Sequence, residues 1–407
     1  MTSIVDIFYY ILIYFFLFYS IFYLLTFFTN KRRFFADPKP RKYPSVSIIL
    51  PAFNEEKNIA KAIKSVLSQN YPKNKLKVIV VDDGSTDKTV EIASKFKNVT
   101  VIRKKHGGFK SAALNAGLKY VNTELVGFMD ADSYLTKNSI MHMVSYLEDK
   151  SVGAVTGTVR VANPKNILQR VQHIEYLIFM ITKRVFHFVD GNYVTPAFAV
   201  YRTKELRKIG SFEENNPAED IEIALRYLSK GYKIKNSYKG LVYTDTPSTI
   251  RGLAKQRIRW SRGFFTNTRK YSHLILNSKH GDLGMFSLPV GYLNLILVNI
   301  FIGLLLFGVY TGIATNVAYY QAIGFDFSDM FRKSFDTSFL SDYKTYFLAG
   351  SALLTLVVVL IARSKIKTKR VAKIKDYAFF LLVYPLITNV LLIIAFIQYI
   401  MKSKSGW

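Results

Sequence analysis

The sequence predicts a mixed α/β domain attached to α-helices that are long and apolar enough to cross a membrane. Apolar residues concentrate in four stretches, 4–29, 285–318, 345–362 and 377–401, and each can span a hydrocarbon core of about 30 Å. Between the first two stretches, short β-branched runs alternate with helical patterns. This alternation predicts a mostly parallel sheet with both faces covered.

The positions of the apolar stretches divide the chain into three predicted regions. These are an N-terminal transmembrane helix (1–30), a cytoplasmic domain with interfacial helices (31–284) and a C-terminal transmembrane region of about three helices (285–407). The first stretch is followed, not preceded, by basic residues, which predicts a retained helix and not a cleaved signal peptide. Seven Lys and Arg against one Asp in 363–376 favour a cytoplasmic connection. We therefore predict a multi-pass protein of the plasma membrane.

The composition narrows the classes of partner. The formal net charge is +28, and such a value first suggests nucleic-acid binding. Much of the basic charge borders the apolar stretches, however, where it marks membrane topology and attracts anionic lipids. We therefore predict contact with membrane lipids and no nucleic-acid partner. The absence of cysteine excludes disulfides and thiolate metal sites.

The α/β domain places acidic residues where its predicted strands end. In chain order, we predict strand 46–50, helix 56–68, strand 77–81, helix 86–96, strand 100–103, helix 110–120 and strand 125–129. Asp82 and Asp83 follow the second strand, and Asp130 and Asp132 follow the fourth. Ligands of such sheets bind outside the carboxyl ends of the strands. Position therefore distinguishes these carboxylates from ordinary surface acids.

Asp130 and Asp132 are the predicted metal ligands. Two carboxylates separated by one residue at a turn can point at the same ion, and hard cations such as Mg²⁺ or Mn²⁺ bind carboxylate and phosphate oxygens. A metal that bridges a diphosphate stabilises the charge of that leaving group. Asp82 is predicted to accept a hydrogen bond from a nucleobase. In a simpler interpretation of the loop that follows Asp82, the residues only form a turn, and Ser85 or Asp87 caps the next helix.

A second acidic pair, Glu219 and Asp220, opens a predicted helix that runs to about Ser229. The helix dipole alone favours acidic residues in a first turn. In the functional interpretation, Asp220 is the base that removes a proton from an acceptor hydroxyl, and Glu219 assists it. A sugar hydroxyl is a poor nucleophile and needs such a positioned carboxylate.

The basic segment 249–271 contains a Q-x-x-R-W sequence that begins at Gln256. Arg259 can hold a diphosphate with two parallel hydrogen bonds, and Trp260 offers a flat face to an acceptor sugar. Lys110 adds a predicted phosphate contact. Interfacial anchoring in a membrane is the alternative for this Arg and Trp. Segment 166–189 is basic and amphipathic, and it predicts either a helix in the membrane plane or a core helix of the domain.

Together these motifs resemble the membrane-bound processive glycosyltransferases of family 2, which include hyaluronan, chitin, cellulose and poly-N-acetylglucosamine synthases. The resemblance covers about residues 45–265. It rests on P-A-F-N-E (51–55), D-D-G-S-T-D (82–87), K-S-A-A-L-N (110–115), D-A-D (130–132) and Q-R-I-R-W (256–260). A-E-D departs from the usual T-E-D at Ala218.

The resemblance implies a GT-A-type, Rossmann-like catalytic domain and inverting transfer from a nucleotide-sugar donor, with Mg²⁺ or Mn²⁺ bound. The residues it assigns to the donor are Ala52, Phe53, Glu55, Asp82, Asp83, Lys110, Asp130 and Arg259; those for the acceptor are Gln256 and Trp260. Three interpretations remain: a polysaccharide synthase, possibly with secretion of its product; a transferase that adds one sugar to a lipid or lipid-linked glycan; and a non-catalytic transporter or scaffold.

Overall fold

The computed structural model describes residues 4–322 and 372–401, together with isolated positions between 346 and 364. Within these residues one sheet of eight strands forms the centre of the α/β domain. In chain order the strands are β1 Val46–Ala52, β2 Leu76–Asp82, β3 Val99–Arg103, β4 Leu125–Met129, β5 Ser133–Leu135, β6 Val152–Val161, β7 Phe198–Arg202 and β8 Lys233–Thr244.

The order of the strands is β3-β2-β1-β4-β7-β6-β8-β5. The first four strands pair in parallel, as predicted. The other half of the sheet is mixed, since β7 runs antiparallel to β4 and β6 and β5 runs antiparallel to β8, while β6 and β8 are parallel. The parallel half brings the carboxyl ends of β1, β2 and β4 to the same edge.

The helices of the described residues are α1 Ile4–Thr29, α2 Lys31–Phe34, α3 Ile59–Leu67, α4 Thr89–Ser94, α5 Lys110–Leu118, α6 Ser139–Val144, α7 Ile167–Phe188, α8 Thr203–Ile209, α9 Glu219–Ser229, α10 Ile250–Lys270, α11 Leu288–Ala322, α12 Ile374–Leu382 and α13 Tyr384–Ile400. Helices α3, α4 and α6 cover one face of the sheet, and α5, α8 and α9 cover the other. Side chains alternate between the two faces along each strand. Ile48 packs with α3, α4 and α6, while Ile49 packs with α5, α8 and α9.

The amphipathic segment 166–189 forms α7, and most of its side chains are buried in the protein. Arg184 is 1% exposed, and its guanidinium donates hydrogen bonds to the carbonyls of Phe34 (2.7 Å), Arg33 (2.9 Å) and Asn236 (2.5 Å). These bonds fasten the chain that follows α1 to α7 and β8. The core-helix interpretation therefore describes α7 better than a helix lying in the membrane plane.

Three helical stretches of the described chain are long and apolar enough to cross a membrane, Ile7–Thr29, Leu283–Ala322 and Ile374–Ile400. The first two pack on each other through Leu12, Phe15 and their neighbours. A π-helical turn over Leu283–Ser287 leads directly into α11, and Pro289 follows this turn. The predicted span 345–362 and its flanking connections lie largely outside the described residues, so the number and orientation of spans stay predictions.

Candidate active site

A cleft opens at the carboxyl ends of β1, β2 and β4, where the sequence predicts the site. It is lined by Pro51, Ala52, Phe53, Glu55, Asp83, His106, Gly108, Phe109, Lys110, Ala113, Asp130, Ala131, Asp132, Glu219 and Arg259. Most of the predicted donor and metal residues are therefore brought together. Four predicted residues are not part of this lining: Asp82, Asp220, Gln256 and Trp260.

Lys110 stands at the centre of the cleft, at the first residue of α5. Its ammonium contacts the carboxylate of Asp130 and lies 3.2 Å from Oε1 of Glu219. Burial disfavours the charged ammonium, but the carboxylates of Asp130 and Glu219 outweigh burial and raise the pKa of Lys110. Lys110 therefore remains a cation, and it links the predicted metal site to the predicted base.

Asp130 and Asp132 lie on the turn between β4 and β5. Oδ1 of Asp132 accepts hydrogen bonds from the hydroxyls of Ser133 (3.0 Å) and Thr244 (3.4 Å). Burial, followed by the charge of Asp130, raises the pKa of Asp132 to about 7. A further cation at this position would relieve both effects.

These carboxylates fit a divalent ion that shares its coordination with a substrate. Among the residues that the structure describes, no group of three or more His, Cys, Asp or Glu side chains converges on one point. Mg²⁺ is commonly bound by one or two carboxylates, with phosphates and water completing its octahedron. Asp130 and Asp132 match that arrangement better than a site built from protein ligands alone.

The paired acids after β2 take different roles. Asp82 is fully buried, and its Oδ1 accepts a hydrogen bond from the backbone N–H of Ser85 at 3.2 Å. Asp83 lines the cleft and accepts hydrogen bonds from the backbone N–H of Gly107 at 3.1 and 3.2 Å. Consecutive side chains at a strand end point in opposite directions, so Asp83 is the acid presented to a ligand. The donor role of Asp82 stays a prediction.

His106 is a cleft residue that the sequence reasoning missed. Its ring stacks on Phe53, with centroids 4.4 Å apart and planes at 21°, and its Nδ1 lies 2.9 Å from Oδ2 of Asp83. Gly84 permits this approach, because its φ is +83° and a Cβ there would lie 2.9 Å from the His106 backbone nitrogen. The Gly107-Gly108 pair that follows His106 could have indicated this part of the site, since such glycines indicate close approach of the backbone.

Glu219 and Asp220 form the first turn of α9, as predicted. Glu219 faces the cleft, whereas both acids line a smaller inner pocket with Lys110 and Thr195. Thr195 donates a hydrogen bond to the Asp220 carbonyl at 2.9 Å and so fixes this turn. Burial, followed by the charge of Glu219, raises the pKa of Asp220 to about 6.

The Q-x-x-R-W sequence lies on α10, which packs closely against this turn. A Cβ at Gly263 would lie 2.2 Å from that of Ala218, so the helix and the turn touch through two small residues. Nη1 of Arg259 donates to the Pro217 carbonyl at 3.4 Å, and its side chain lines the cleft. Successive side chains on a helix point about 100° apart, and Trp260, unlike Arg259, is not part of the cleft lining.

Comparisons with known proteins identify the class of this fold. A mannosyltransferase from Pyrobaculum calidifontis, solved in complex with GDP-Man and Mn2+, superposes with a TM-score of 0.59 and 19% identity over 94% of this chain and 96% of that one. At this identity the likeness shows the fold, which is of the GT-A type. The predicted fold class is confirmed.

Sequence relatives specify the family. Residues 47–210 match Glycosyl transferase family 2. A poly-beta-1,6-N-acetyl-D-glucosamine synthase of Staphylococcus epidermidis is 25% identical over 379 residues, which cover 89% of this chain and 85% of that protein. The synthase of Staphylococcus aureus strain COL is 29% identical over 248 residues, covering 58% and 60%. The predicted resemblance and enzyme class are confirmed.

Proposed function

We propose that this protein transfers N-acetylglucosamine from a UDP-sugar to a growing polysaccharide, with inversion at the anomeric carbon. The observation that carries the proposal is the convergence of Asp83, Lys110, Asp130 and Glu219 on one cleft. The first three of these residues lie in the segment 47–210 that matches Glycosyl transferase family 2. The names of the Staphylococcus relatives support the sugar and the polymeric product. A transporter or scaffold has no need for this arrangement of acids.

In this proposal Asp130 and Asp132 would hold Mg²⁺ or Mn²⁺ next to the donor diphosphate. The Mn2+ of the Pyrobaculum transferase supports a divalent ion of this kind. When bound, the ion neutralises charge that builds on the leaving diphosphate. Arg259 adds a planar pair of donors to the phosphates, while Lys110 adds a point charge.

The nucleoside occupies the side of the cleft formed by β1 and β2. Asp83 presents carboxylate oxygens to base N–H groups, and the Phe53–His106 pair offers an aromatic surface to the base. Ala52 and Glu55 complete this wall. Because Asp82 is buried behind Asp83, its contribution is to hold the loop through Ser85.

Asp220 acts as the general base. Its carboxylate takes the proton of the acceptor hydroxyl as that oxygen attacks the anomeric carbon, and the bond from this carbon to the phosphate oxygen breaks. UDP leaves with the bonding electron pair. Glu219 and Lys110 position the turn through their ion pair. Gln256 and Trp260 contact the acceptor, where Trp260 provides a stacking surface.

The membrane arrangement of the proposal follows the loop charges. Residues 31–284 form the cytoplasmic catalytic domain, while 1–30 and 285–407 form a multi-pass membrane region in the plasma membrane. The helical stretches Ile7–Thr29, Leu283–Ala322 and Ile374–Ile400 support the membrane location. Basic residues beside them attract anionic lipid headgroups. The growing acceptor is then held next to the membrane that its product must cross.

The test is a donor screen with the purified full-length protein in lipid nanodiscs. Released nucleoside diphosphate and the length of the labelled product are both measured. Turnover of UDP-N-acetylglucosamine with a ladder of products supports the proposal. A product with a single added sugar would contradict polymer synthesis and would indicate transfer to a lipid-linked acceptor instead. The absence of turnover with every donor would overturn the proposal.

A further inference from the structure

A buried polar cluster connects the Q-x-x-R-W helix to α7 and to the C-terminal membrane helix. Nη2 of Arg257 lies 2.5 Å from Oε2 of Glu175 on α7 and 3.1 Å from the hydroxyl of Tyr384 on α13. The Tyr384 hydroxyl also lies 3.0 Å from the same Glu175 oxygen. These three contacts close a triangle, which we call the Arg257 triangle.

The Arg257 triangle is shielded from water. The side chains of Arg257 and Glu175 are 9% and 14% exposed, and Tyr384 is 3% exposed. Leu168, Val171 and Leu253 pack around the tyrosine. In such surroundings charge-assisted hydrogen bonds hold a guanidinium in one orientation.

That orientation determines what lies against Trp260. The guanidinium carbon of Arg257 is 4.5 Å from the centroid of the Trp260 ring, within the range of a cation–π contact. Arg257 and Trp260 are three residues apart on α10, so their side chains are neighbours on the helix surface. Rotation of the guanidinium away from Glu175 would remove the support of the indole on that side.

We propose that Glu175 and Tyr384 are positioning residues for the acceptor site, acting through Arg257 to fix the Trp260 ring. This inference rests on the proposed function of Trp260 as the acceptor platform. Because Tyr384 begins α13, the orientation of the platform is linked to a membrane helix. A displacement of α13 would therefore alter how the acceptor is held without altering the donor cleft.

The chain offers a matched control of the same chemistry. On α7, Arg170 makes two contacts with Asp376 of α12, Nε to Oδ2 at 2.9 Å and Nη2 to Oδ1 at 3.1 Å. Asp376 is fully buried. This pair also fastens α7 to the C-terminal helical stretch Ile374–Ile400, but among the contacts of the described residues neither side chain touches Trp260. Its loss would report general loosening of that stretch.

The activity test compares Glu175→Gln and Tyr384→Phe with Asp376→Asn in full-length protein in nanodiscs. Two rates are measured, donor hydrolysis without acceptor and incorporation of sugar into added oligosaccharide. A displacement of about 1 Å can cost up to about 10²-fold in rate. We therefore expect the ratio of incorporation to hydrolysis to fall about 10-fold or more in the first two variants. In Glu175→Gln and Tyr384→Phe the KM for the acceptor should also rise. Asp376→Asn should keep the wild-type ratio.

The outcomes separate this inference from the proposed function. If all three variants lower the ratio equally, the triangle acts only as a tether and the inference is overturned. If Trp260→Ala lowers the ratio but Glu175→Gln leaves it unchanged, the inference fails while the proposed function stands. If Trp260→Ala incorporates sugar normally, the acceptor role itself is wrong.

A spectroscopic measurement tests the geometry without activity. The chain has two tryptophans, Trp260 and Trp407, so a Trp407→Phe background leaves Trp260 as the reporter. We expect Glu175→Gln and Tyr384→Phe to increase quenching of this fluorescence by acrylamide and to lower its anisotropy, because the ring becomes more mobile. Asp376→Asn should leave both quantities at the background value. Unchanged signals in the Glu175 and Tyr384 variants would overturn the inference.

Discussion

Acidification from pH 7 to pH 5 should slow sugar transfer about tenfold. The perturbed group is Asp220, which burial and the neighbouring Glu219 charge shift from an ordinary pKa of 3.8 to about 6. Both influences favour the neutral acid, so the carboxylate is lost as the pH falls through about 6. A general base acts only when it is ionised. Transfer should therefore decline in the same window.

The size of the effect follows from the two pKa values. With a pKa of about 6, roughly 90% of Asp220 is ionised at pH 7 and roughly 9% at pH 5, a decrease of about tenfold. With an ordinary pKa of 3.8, more than roughly 90% would remain ionised at pH 5. The two cases differ clearly in a profile measured between pH 4.5 and pH 8.

The assay is initial-rate incorporation of labelled sugar at saturating donor. Asp132, with a pKa raised to about 7, also titrates near neutrality. Metal binding competes with that proton, so a limb due to Asp132 moves to lower pH when the Mg²⁺ concentration is raised. The limb due to Asp220 should not move. A rate that stays level down to pH 5 would refute the assignment of Asp220 as the base.

Further predictions follow from the same site. Asp132→Asn should abolish turnover while the protein still folds, and excess chelator should do the same; full activity in chelator would contradict a metal-assisted reaction. Arg259→Lys should lose most activity, with membrane insertion unchanged, because lysine cannot make the planar two-pronged contact. Near-normal sugar incorporation in both Arg259→Lys and Trp260→Ala would favour interfacial anchoring. Gly263→Ala should push α10 away from Ala218 and reduce kcat, because the two Cβ positions would lie 2.2 Å apart. Adding Ala218→Gly to this variant should partly restore kcat. A wild-type kcat in Gly263→Ala alone would contradict this packing.

The parallel half of the fold was predictable because its signals are local. Short apolar runs located β1, β2 and β4, and acids mark the ends of β2 and β4. The predicted bounds of β4 agree with Leu125–Met129. The mixed half was not, because β7 inserts antiparallel between β4 and β6. That pairing depends on contacts between distant segments, and no periodicity in the sequence encodes them.

The candidate site was predictable as a set but not in its details. Residue type and order indicated Lys110, Asp130 and Glu219, and the fold brings them into contact. The sequence did not distinguish Asp82, which is fully buried, from Asp83, which lines the cleft. That difference arises from one step of side-chain alternation along the strand. The stack of His106 on Phe53 depends on a loop conformation that only the folded chain defines.

The most direct measurement of the central claim compares wild type with Asp220→Asn in full-length protein supplied with labelled UDP-N-acetylglucosamine and Mg²⁺. Wild type should release UDP and form a ladder of labelled products. The variant should bind the donor with nearly wild-type affinity yet lose about 10²–10⁴-fold in transfer, as expected for a missing general base. Loss of donor affinity in the variant would place Asp220 in the nucleotide site, and unimpaired transfer would contradict the catalytic account.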